Sequence, residues 1–97
     1  MPDLTPETLT QTNGVVAQMG MEPVLDALER AQIIICGRAY DPAPFAAVGV
    51  KRGHDAGLAY HLGKILECGA LCCEPGTTKD CMLGVLEDDS FVVYPAA

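Results

Sequence analysis

"IIICGRAYDPAPF", residues 33–45, decides how this chain reads. Three consecutive isoleucines and a cysteine form an apolar, β-branched run that stops at Gly37-Arg38 and passes into a Pro-punctuated turn carrying Asp41. The run does not alternate apolar with polar residues, so it predicts a strand over 32–36 covered on both faces, as central strands of parallel α/β sheets are. The turn after it is then the carboxyl end of a strand, where open α/β folds place their ligands.

On the amino-terminal side, Thr5-Pro6-Glu7 has the pattern of a helix start: a hydroxyl N-cap, Pro at the first helical position and an acid at the positive end of the dipole. Asn13-Gly14 interrupts that helix. Pro23 opens a second one, in which Val24, Leu25, Leu28 and Ala31 recur at helical spacing. On the carboxyl-terminal side, a short helix or turn is expected from Asp41-Pro42 to Val48, followed by the Gly-rich loop VGVKRGHDAG. Residues 56–72, AGLAYHLGKILECGALC, carry the longest helical pattern, with Leu58, Leu62, Ile65 and Leu66 on one face and Lys64 and Glu67 opposite. Gly57, Gly63 and Gly69 weaken such a helix, which points to close packing against another element. CEPGTTKD reads as a loop, and CMLGVL-EDDS-FVVY as a β-hairpin ended by Pro95.

These elements predict one small α/β domain over 1–97, with helices packed on a small mixed sheet that contains a buried strand at 32–36 and a C-terminal hairpin. A doubly covered strand needs more strands beside it than the chain supplies. The expectation is therefore a sheet completed by another chain or by oligomerisation: a homo-oligomer or a companion subunit.

Composition excludes several classes of function. Of the 97 residues, 49% are hydrophobic but only 5% aromatic, with no Trp, so the core must be built from Ala, Val, Ile, Leu, Met and Cys. A net charge of -7 opposes attraction to nucleic acid and to anionic bilayers, and neither is expected as a partner. Apolar runs fall far short of a membrane span, and MPDLTPETL lacks the features of a signal peptide, so the chain reads as cytoplasmic. Five cysteines without an export signal are expected as reduced thiols.

Arg38 and Asp41 lead the candidates for chemistry. Gly37 lets a ligand approach the backbone, Arg38 could clamp a carboxylate or phosphate, and Asp41 could move a proton. Structural roles explain the same residues: Asp41 before Pro42 as a helix N-cap, and Arg38 paired with Asp41 across the turn. Lys64 and Glu67 are spaced for a surface ion pair. His61 shares a helical line with Cys68 and Cys72, but seven residues rise about 10 Å, too far for His61 and Cys68 to share one tetrahedral ion comfortably. No metal site or cofactor is assigned. Lys51, Arg52 and His54 form the one basic cluster, open either to an anion or to solvent, with Asp55 placed to cap the long helix. Glu87-Asp88-Asp89 suits a hairpin turn better than a calcium loop.

Taken together, TNGVVAQMGMEPVLDALERAQIIICGRAYDPAPFAA, GLAYHLGKILECGA and DCMLGVLEDDSFVVYP resemble the interior of the acyclic terpene utilization (AtuA-like) family. The likeness runs from about residue 4 to Pro95. Its most specific pieces are Gly37-Arg38-x-x-Asp41-Pro42 and Gly63-Lys64-Ile65-Leu66-Glu67-Cys68-Gly69. Family members are several hundred residues long, so the chain resembles a middle segment. The resemblance implies a cytosolic α/β protein connected with breakdown of acyclic terpenes or other branched organic acids, as carboxylates or thioesters. It draws attention to Arg38, Asp41, Lys64, Glu67 and Cys68. The candidate catalytic residues are then Asp41, Lys64 and Glu67, and the candidate contacts to a small anionic metabolite are Gly37, Arg38 and His61.

Overall fold

The computed structural model of the chain describes residues 3–96. Four α-helices are followed by a two-stranded antiparallel sheet, an α/β arrangement: α1 (Pro6–Thr10), α2 (Glu22–Leu28), α3 (Ala43–Lys51), α4 (Ala56–Cys68), a 3-10 turn (Gly69–Cys72), β1 (Met82–Leu86) and β2 (Phe91–Pro95).

Local chemistry sets most of these boundaries. Thr5 caps α1 by accepting from the Thr8 backbone N–H, while the Thr8 hydroxyl accepts from the Thr5 N–H, a reciprocal capping box. Asp55 caps α4 in the same sense, its carboxylate accepting from the Leu58 N–H at 2.9 Å. Gly69 ends α4 with φ +59, a conformation that costs other residues more than glycine. The expected helical stretch to residue 72 therefore breaks at Cys68 and continues only as the 3-10 turn.

The core lies between α2, α3 and α4 and is made of small side chains: Met21, Val24, Ala43, Ala46, Ala47 and Ala59 are buried. Leu25, Leu28, Cys36, Val50, Tyr60 and Leu86 pack around them. Gly63 is where α4 comes nearest to α3: a Cβ there would lie 2.9 Å from the Pro42 carbonyl oxygen and 3.3 Å from the Ala46 nitrogen. The hairpin pairs Met82 with Pro95 through Leu86 with Phe91, as its sequence pattern predicts. It rests on α4 through Gly84, where a Cβ would meet Leu62 at 2.7 Å.

The buried strand expected at 32–36 is not formed. Residues 32–36 make no backbone hydrogen bond among the described residues, and Ile33 and Ile35 are 85% and 94% exposed. Ile34 and Cys36 are half-buried, so exposure alternates along the run and only one face is covered. The reason is a missing layer: α2 and α3 back one side, and nothing among the described residues backs the other. The sheet is antiparallel rather than mixed, apart from a single parallel bridge between Met19 and Ala39, in which the Met19 N–H donates to the Arg38 carbonyl and the Tyr40 N–H to the Met19 carbonyl.

Gly63→Ala tests the close approach. Helix propensity alone would favour Ala by about 1 kcal/mol. The neighbouring atoms belong to backbone and cannot swing away, so a crowding cost of about 1–3 kcal/mol is expected to prevail, lowering the urea midpoint.

Candidate functional site

The loop 37–41 is held over α4 from two sides. The Met19–Ala39 bridge anchors its middle, and Tyr40 packs on Tyr60 of α4 with ring centroids 6.0 Å apart. Pro42 is buried at the head of α3, against Gly63. This geometry sets Asp41 beside Lys64, the residue after the glycine.

Lys64 is the centre of the resulting cluster. Its ammonium lies 2.6 Å from Glu67 Oε2 and 3.6 Å from Asp41 Oδ2. The Cys68 thiol donates to the same Glu67 oxygen at 3.4 Å. Three candidate catalytic residues, Asp41, Lys64 and Glu67, are thus brought together, with Cys68 as a fourth member. The expected Lys64–Glu67 ion pair is present, while the Asp41 contact across two elements was not legible from spacing.

The hydrogen bonds set the protonation of the group. The Glu67 hydrogen bond pushes Lys64 up to about 12, while Lys64 first and Cys68 second hold the Glu67 carboxyl below its ordinary range. The Cys68 thiol is pushed up, chiefly because it donates to Glu67 and further by burial. Lys64 is therefore a fixed cation, Glu67 a fixed anion and Cys68 a poor thiolate at neutral pH. Lys64 and Asp41 are each about half exposed (51% of the side chain), which tempers the energetic weight of their pairing.

Two readings of the loop are corrected. Asp41 is not the N-cap of α3: Pro42 occupies that position and α3 has no side-chain cap, because the Asp41 carboxylate is turned to Lys64 instead. Arg38 does not pair with Asp41, and its exposed guanidinium has no ion pair or hydrogen bond among the described residues. Gly37 is exposed, with nothing within 4 Å of an added Cβ. His61 is drawn away from the cluster, its ring edge-on to Phe91 of β2 at 5.0 Å.

The basic loop is divided as well. Lys51 pairs with Glu29, and His54 Nδ1 lies 3.0 Å from the Glu87 carbonyl oxygen. Concavities of about 440 and 400 Å³ lie away from the cluster, one bordered by Cys73, Lys79 and Asp80, the other by Phe45, Arg52, His54 and Leu62. The cluster itself sits on an open surface. No helix among the described residues is long and apolar enough to cross a membrane.

Fold and site define a small α/β module that displays a carboxylate–ammonium–carboxylate cluster where two helices meet. The family model described as acyclic terpene utilisation family protein AtuA matches residues 4–91, and the chain belongs to that family. No curated protein and no solved structure matches it.

The pKa directions predict a pH profile. The folded pKa of Lys64 exceeds the ordinary 10.5, so its contribution to stability is complete below that pH and fades as pH rises toward about 12. Glu67 is shifted down from 4.5, so its contribution is present above that value and fades in acid. Urea midpoints are expected to be insensitive to this pair through the neutral range and to fall in acid, with a shallower acid slope in Glu67→Gln. An unchanged acid slope in that variant would show the pair contributes nothing.

Proposed function

We propose that the chain works in the breakdown of acyclic terpenes or related branched organic acids, handled as carboxylates or acyl thioesters, through the face formed by loop 37–41 and the Lys64–Cys68 turn. The observation that carries this reading is Lys64 held between Asp41 and Glu67. An ammonium has three N–H donors; Glu67 takes one, and Asp41 at 3.6 Å is an ion-pair neighbour rather than a hydrogen-bond acceptor, so donors remain for an oxyanion. Lys64 then stabilises negative charge developing on a carbonyl oxygen. Asp41 is more loosely held than Glu67, and it is the carboxylate assigned to move a proton. The cluster of two carboxylates and one ammonium is net negative, which disfavours an anionic substrate on its own. Arg38, an uncommitted cation on the same loop, offsets that charge and serves as the carboxylate anchor, with the open backbone at Gly37 beside it.

A second reading, an assembly module without catalysis of its own, is favoured by a different observation: the bare isoleucines and unpaired backbone of residues 32–36. In that case the partner is another copy or a companion subunit in the cytoplasm.

Titration with isovalerate, followed by amide NMR shifts, separates the first reading from coincidence. Shifts are expected at residues 37–41 and 64–68, absent with the uncharged isovaleramide and abolished in a folded Arg38→Ala variant. Equal responses to the acid and the amide, or an Arg38→Ala variant that still responds, would remove the anchor role.

A further inference from the structure

Residues 15–19 and 33–39 are joined by the single Met19–Ala39 bridge and are otherwise unpaired among the described residues. Neither Val15–Gln18 nor Gln32–Cys36 makes a backbone hydrogen bond among the described residues, and the two stretches meet only at the Met19–Ala39 bridge. Val15 and Val16 are 83% and 87% exposed, as bare as Ile33 and Ile35. Every residue from Asp3 to Gly20 is exposed, so the whole amino-terminal arm lacks a covering surface.

The deficit shows in the dimensions. A folded monomer of 10.2 kDa is expected to expose about 5,300 Å², yet the chain exposes 7454 Å². Its radius of gyration is 17.0 Å, against about 12.5 Å for a compact chain of this length. The surplus of about 2,100 Å² exceeds the roughly 800 Å² that each partner contributes to a standard specific interface.

We infer that the exposed apolar surface of Val15, Val16, Ile33 and Ile35 is a homodimer interface, covered in solution by the same surface of a second copy. This deepens the assembly reading above by naming the surface and its occupant. Charge distribution favours a second copy. The chain carries a net charge of -7, which opposes self-association in general, yet 13–21 and 31–37 contain no charged residue. Two copies can meet there without like-charge repulsion, and a two-fold axis sets an apolar patch on its own equivalent. β-branched side chains on exposed strand-like backbone interdigitate across such a contact as the inner faces of stacked sheets do.

Native mass spectrometry and light scattering of the purified chain test this. The expected mass is twice 10.2 kDa, falling to the monomer in Ile33→Glu and Ile35→Glu, with helical circular dichroism retained. Leu83→Glu, a charge on an exposed residue of the hairpin, is expected to leave the dimer intact. Because the chain has no Trp, Ile35→Trp supplies a single reporter that does not depend on the charged variants folding: its emission is expected blue-shifted, moving red on dilution. A monomer with water-exposed Trp emission overturns the second copy. A dimer indifferent to charge at residues 33 and 35 overturns the face while leaving the assembly reading standing.

Discussion

The structure depends on the close approach of α3 and α4. Ala46, Ala47 and Ala59 leave room for the helices to come together, and Gly63 lets the backbone of α4 reach the Pro42 carbonyl. Dispersion across such a contact is collective, and a single methyl in the wrong place is felt because backbone cannot yield as a side chain does. The contact also aligns everything around it. Loop 37–41 enters α3 at that point, the hairpin lies on the next face of α4, and Lys64 follows the glycine in sequence.

That placement gives the ion cluster its character. Lys64 would be an ordinary surface lysine on an isolated helix, paired with Glu67 by spacing alone. The crossing of the helices adds Asp41, and Cys68 adds a donor to Glu67, so the charges are set in opposite senses within one turn of helix. Such an arrangement suits holding and stabilising charge better than shuttling protons near neutrality, since Lys64 and Glu67 are both displaced away from that range. Arg38, on the neighbouring loop, has no ion pair among the described residues.

The other half of the molecule is defined by what does not cover it. Cys36 packs on the helical core and Ile34 is half-buried, while Ile33 and Ile35 lie bare. A β-branched run without a ladder has neither the hydrogen bonds nor the burial that make a strand stable, which is why the segment is strand-like in sequence and unpaired among the described residues.

The sequence by itself determined what is local. Thr5 and Asp55 as caps, the hairpin around Glu87–Ser90, the helical face of Leu58, Leu62 and Leu66, and the Lys64–Glu67 pair follow from spacing and side-chain chemistry within a few residues. The family was legible from the motifs at Gly37–Pro42 and Gly63–Gly69. Only the tertiary structure decided which groups meet across elements: Asp41 turns to Lys64 instead of capping α3, Arg38 has no ion pair among the described residues, and His61 goes to Phe91. It also decided that residues 32–36 are half covered. Burial of a strand is a property of the layers packed on both its sides, and an apolar run records the preference for cover without stating whether the same chain provides it.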